Sequence, residues 1–142
     1  MNPRLLTAVV GALTVLSGLT GLFYPERVMG LLGFAAQNPA HAAAALGEIR
    51  AMYGGAITVL GIATLLAAVD PAAHRGRLVL LGAVWVGAAA GRLFGVSVDG
   101  NPGVLAWATV AFEITMGGLL LVASQASAEV GPAAAGGSTQ AT

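Results

Sequence analysis

The sequence contains no cysteine. That excludes a disulfide framework and a thiolate metal site, and leaves redox compartment unreadable from cysteine usage. Charge is also scarce: 8% of the residues are Asp, Glu, Lys or Arg, against roughly a quarter in soluble domains. The six basic residues are all arginine and are balanced by six acids, for a formal net charge of zero. A basic footprint able to neutralise many phosphates is missing, which argues against nucleic acid as a partner. The two histidines, His41 and His74, fall in different connecting segments. With no nucleophile elbow, phosphate loop or histidine-rich set either, no metal and no cofactor is expected.

What the chain does have is apolar length. Hydrophobic residues make up 57% of it and its mean hydropathy is +0.86. This is bilayer composition, and 142 residues leave room for one compact domain. The first apolar run, Leu5 to Phe23, is long enough at about 1.5 Å per residue to cross a hydrocarbon core of roughly 30 Å. Arg4 could head a signal peptide, but the run exceeds a typical h-region and no A-x-A site follows, so it reads as a retained span. Further spans are expected at about 46–69, starting between Ala42 and Leu46, at 78–98, and at 104–123.

Between the first two spans, Pro25 is placed to open a short helix lying along the membrane surface, and Asn38-Pro39-Ala40-His41 breaks the pattern. From Ser124 the composition turns to Ser, Ala, Gly, Gln and Pro, too polar to offset chain entropy. The expected architecture is all-α: a four-helix integral membrane bundle over residues 1–125, with a short interfacial helix after the first span and a disordered tail at 126–142.

Arg4, Arg75 and Arg77 flank one side of this topology and Arg27 the other. That bias places both termini in the cytoplasm. Two small-residue stripes, Gly47/Ala51/Gly55 and Gly87/Gly91/Gly95, have the spacing that lets helices approach closely in lipid. The same spacing serves packing within one chain, the favoured reading, or a homo-oligomer.

Against this background four charges stand out. Glu48, Arg50, Arg92 and Glu113 lie within the apolar spans, where ionisable residues are rare unless they face one another or a cavity. Counted from the outer helix ends, Glu48 and Arg50 lie roughly 9 to 12 Å deep, Arg92 roughly 9 Å and Glu113 roughly 14 Å. Convergence at one depth predicts a shared polar site in the outer half, built from Glu48, Arg50, Tyr53, Arg92, Asp99 and Glu113. An α-helical phase sets Arg50 and Tyr53 on one face and Glu48 about 200° away from Arg50. That phase pairs Arg50 with Glu113, and leaves Glu48 to Arg92, to His41 or to a neighbouring chain.

The order Glu48-x-Arg50-Ala51-x-Tyr53-Gly54-Gly55, then Gly91-Arg92, Asp99-Gly100-x-Pro102 and a lone Glu113 resembles the bacterial domain-of-unknown-function 4345 family. The resemblance covers the second to fourth spans well and the first by hydropathy. It implies a four-span membrane protein with polar residues at these positions, and no activity, substrate or cofactor.

Three functions fit such a set. The charges form a structural clasp between helices, or line a site for a small lipophilic ligand, with an acid/base enzyme on a hydrophobic substrate as its catalytic variant. The third is a proton-carrying carboxylate in a transporter or channel subunit. The residues specify no reaction, and the lipid bilayer is the one partner they require.

Overall fold

The computed structural model describes residues 2–34, 38 and 41–129. Its first helix, α1 (Pro3–Phe23), starts where Asn2 accepts hydrogen bonds from the backbone N–H groups of Arg4 and Leu5 at 3.0 and 3.4 Å, with Pro3 at the first helical position. Pro25 then opens α2 (Pro25–Leu31) with Glu26 in its first turn, where an acid complements the helix dipole. The guanidinium of Arg27 sits 5.2 Å from the centre of the Tyr24 ring, a cation–π contact at this corner. Gly33 closes α2 with a φ of 74°, a conformation open to glycine and costly for other residues.

The second span is one continuous helix, Ala42–Val69, with a change of winding inside it: α3 (Ala42–Glu48), a π-helical segment (Ile49–Ala56) and α4 (Ile57–Val69). Asp70 ends it, its carboxylate accepting from the Ala73 N–H at 3.1 Å, a side-chain cap on the turn that Pro71 begins. Helix α5 (Arg75–Asp99) stops at Gly100, whose φ is 92°, and α6 (Val104–Glu129) follows a short turn. In that turn Asn101 Oδ1 accepts from the Gly103 N–H at 3.1 Å and from Trp107 Nε1 at 3.2 Å.

Four helices are thus long and apolar enough to cross a membrane. They alternate in direction, so α2 and the α5–α6 turn lie at one end of the bundle, and the N-terminus, the α4–α5 turn and the end of α6 at the other. Their outer surfaces carry large apolar side chains such as Leu16, Phe23, Val59, Leu66, Leu80 and Phe94, all more than half exposed. Water would penalise so continuous an apolar exterior, and lipid would not.

The four long helices run Pro3–Phe23, Ala42–Val69, Arg75–Asp99 and Val104–Glu129. Helix α6 continues to Glu129, past the composition change at Ser124. The buried hydroxyls of Ser124 and Ser127 donate to the carbonyls of Leu121 and Ala123 at 2.7 Å, so these serines are satisfied on their own helix and are tolerated inside it. The rest of the expected tail, 130–142, and Pro39 and Ala40 of the expected break lie outside the described residues.

Helix α1 packs along the π segment and α4 of the second span and also touches α6; α6 pairs with α5, and α4 meets α5 lightly. The seam between α1 and the second span is glycine-lined. A Cβ at Gly11 would come within 2.9 Å of the Leu65 nitrogen, one at Gly54 within 2.8 Å of the Leu22 nitrogen and one at Gly61 within 2.5 Å of the Val15 nitrogen, while Gly18 abuts Thr58 and Gly21 abuts Tyr53. Four of these five pairs keep one antiparallel register, and Gly21 with Tyr53, inside the π segment, is offset by two residues; backbone lies against backbone, as close packing in lipid requires.

Neither stripe singled out by spacing serves this purpose. Nothing lies within 4 Å of a Cβ built at Gly47, Gly87 or Gly91. The dry core of Val10, Ala67, Leu78, Leu81, Leu120 and Ala123 gathers toward the end that holds the N-terminus.

A candidate ligand cavity among the four spans

The end of the bundle that holds α2 is built differently. The π segment packs on α1 and α2 and leaves α5 and α6 apart from it. Between them lies a cavity of about 290 Å³. Its walls are Ser17 and Thr20 of α1, Val28 and Leu32 at α2, Tyr53 and Ile57 of the second span, Trp85 and Arg92 of α5, and Thr109, Phe112 and Glu113 of α6. Trp85 meets Phe112 edge to face, with ring centres 5.7 Å apart and planes at 86°, a favoured aromatic geometry.

The central polar contact joins α5 to α6. Arg92 Nε donates to both carboxylate oxygens of Glu113, at 2.9 and 3.0 Å. Glu113 is 5% exposed at its side chain and Arg92 26%. An isolated carboxylate at that depth would be prohibitively costly, and a hydrogen-bonded opposite charge is what makes it tolerable. The pairing engages Nε alone, so the four N–H donors on the two terminal nitrogens are not spent on Glu113. The phenol of Tyr53 lines the same cavity.

Among the sequence-derived residues, the fold therefore brings Tyr53, Arg92 and Glu113 into one cavity. The partner of Glu113 is Arg92, not Arg50, and this corrects the pairing drawn from α-helical phase. The reason is the π segment. Its i→i+5 hydrogen bonds turn the chain by less per residue than an α-helix, so the two buried residues of the segment, Ile49 and Gly54, are five apart. Tyr53 then points inward while Arg50 is exposed.

Glu48 is likewise exposed and lines a separate recess with Met29, Ile49, Met52 and Tyr53. Asp99 lies at the rim, exposed, in a second recess that shares Arg92 and includes Trp107. Among the described residues neither Glu48 nor Arg50 forms an ion pair.

Sequence reasoning missed the hydroxyls. Ser17 and Thr20 stand one turn apart on α1, and Thr109 stands one turn before Glu113 on α6; that i,i+4 relation to the buried acid was a usable signal. All three donate to carbonyls of their own helices, Leu13, Leu16 and Leu105, at 2.9, 2.9 and 3.1 Å. Toward the cavity they offer acceptor lone pairs alone. Trp85 is buried, as its position well inside the third span implied.

The family model described as Domain of unknown function (DUF4345) matches residues 3–124. The chain belongs to this family. The DUF4345 match takes in Tyr53, Arg92 and Glu113, and ends inside α6. No curated protein and no solved structure matches the chain.

Proposed function

We propose that this DUF4345 protein is a membrane-embedded binding protein that holds one small lipophilic molecule in the cavity between its spans. The observation that carries this reading is the meeting of three polar side chains from three spans, Tyr53, Arg92 and Glu113, on one cavity whose other walls are largely apolar. A structural clasp needs the two charges but no adjoining space. A concave, mostly apolar site with a few convergent polar groups is the usual form of a small-molecule pocket.

The proposal includes the orientation given by Arg4, Arg75 and Arg77 at one end: both termini in the cytoplasm of an inner membrane, with α2 and the cavity toward the outer leaflet.

Native mass spectrometry of protein released from mild detergent tests the pocket. A discrete non-phospholipid mass on the wild type, lost in Arg92→Gln and Glu113→Gln without unfolding, is expected. Heterogeneous lipid alone on the wild type, with both variants unfolding, would reduce the charges to a clasp. The absence of cysteine also makes orientation testable by single-cysteine labelling. Asn101→Cys should react with an impermeant maleimide in intact cells and Ala72→Cys should not; the opposite pattern inverts the topology.

A further inference from the structure

We infer that the occupant of the cavity is an uncharged lipophile whose polar end is a hydrogen-bond-accepting carbonyl. This rests on reading the cavity as a ligand site, and follows from its charge balance and the direction of its hydrogen bonds.

The site holds one positive and one negative group, Arg92 and Glu113, already bonded to each other at 2.9 Å. A carboxylate head added beside them would leave a net negative charge, and an ammonium head would leave a net positive charge while competing with Arg92 for Glu113. In a medium of low dielectric either imbalance is expensive. A neutral head group keeps the balance.

Donors and acceptors are also unevenly placed. Ser17, Thr20 and Thr109 have committed their protons to their own helices. The donors on the cavity walls are the terminal N–H groups of Arg92, the hydroxyl of Tyr53 and the indole N–H of Trp85. A carbonyl oxygen accepts two hydrogen bonds and can meet two of these donors without needing to donate in return. Trp85, Phe112, Ile57 and Leu32 line the remaining wall and suit an apolar body.

The test uses Trp107→Phe protein in nanodiscs of neutral phospholipid, so that Trp85 is the one remaining indole. It is titrated with four probes of equal chain length, each brominated at the same chain carbon: a 2-alkanone, a fatty acid, a primary alkylamine and an alkane. Bromine quenches indole fluorescence on contact, so quenching reports a seated chain whatever the head group. Saturable quenching by the ketone, at least tenfold tighter than by the acid or the amine, is expected. In the same background Tyr53→Phe and Arg92→Lys, the second of which keeps the charge, should each weaken the ketone several-fold with helix content unchanged.

Equal or tighter seating of the acid, the amine or the alkane overturns the carbonyl assignment and leaves the pocket standing. Saturable ketone binding that ignores both substitutions overturns the donor assignment. If no probe saturates, the pocket reading itself fails.

Discussion

Two helix pairs of similar hydropathy solve the same packing problem by different means. Helix α1 and the second span meet through Gly11, Gly18, Gly21, Gly54 and Gly61, with their backbones nearly touching and no ion pair among the described residues. Helices α5 and α6 make one such approach, at Gly82 and Gly117, and farther along are joined by Arg92 and Glu113. The first seam leaves no space between its helices. The second uses long side chains, and beside them lies the cavity. A glycine seam fixes position without chemistry, whereas a charge pair fixes position and also leaves donors free.

Four substitutions would break or sharpen this contrast. Gly21→Leu should have the largest effect, because its side chain would run into the backbone of Tyr53 and Gly54 and the helices can only separate. Loss of the folded protein is expected, read as aggregation in size-exclusion chromatography from mild detergent; survival with an intact melt would mean that the seam is not backbone-tight. Arg92→Met comes next, with a cost of about 3 kcal/mol expected for leaving a buried acid unpaired. The double variant Arg92→Met/Glu113→Met should recover most of it, and a double-mutant cycle in reversible denaturation would show no coupling if the pair were incidental.

Gly117→Ala is milder. The added methyl would lie 2.8 Å from a Val86 side-chain carbon and 2.9 Å from the Gly82 carbonyl oxygen, an overpacking worth roughly 1 to 2 kcal/mol. At the bottom of the scale, Gly91→Leu changes an exposed position with nothing within 4 Å, and stability within about 0.5 kcal/mol of wild type is expected. A large loss there would show that the exposed face of α5 is packed against something outside this chain.

The ranking also shows where the sequence was legible. Gly87 and Gly91 repeat at the spacing that favours close packing, yet they face away from the bundle. Gly18 and Gly61, set among Leu, Thr and Val with no such repeat, are among the tightest contacts. Spacing reports that a face is small; it does not report whether another helix lies against it. Arg50 teaches the same about phase. Its assignment to Glu113 assumed an α-helix throughout the second span, and the π segment at Ile49–Ala56 turns it outward while leaving Tyr53 inward. No residue in Ile49-Arg50-Ala51-Met52-Tyr53-Gly54-Gly55-Ala56 forces π winding. What supports it is the fit of Gly54 against Leu22 and of Tyr53 against Gly21, which is a tertiary fact.

Apolar run length, the prolines at Pro25 and Pro71 and the Asp-Gly turn at Asp99-Gly100 determined by themselves the four spans, the short helix between the first two, and the confinement of charge to a few positions. These are one-dimensional constraints, since a bilayer of fixed thickness and an unsatisfiable backbone leave a chain of this composition few other solutions. Tertiary structure alone decided which arginine meets Glu113, which glycines touch, and that the space beside the pair is open. Those outcomes depend on the winding of one helix and the distance between others. Both are set by side chains from distant parts of the sequence meeting across a seam.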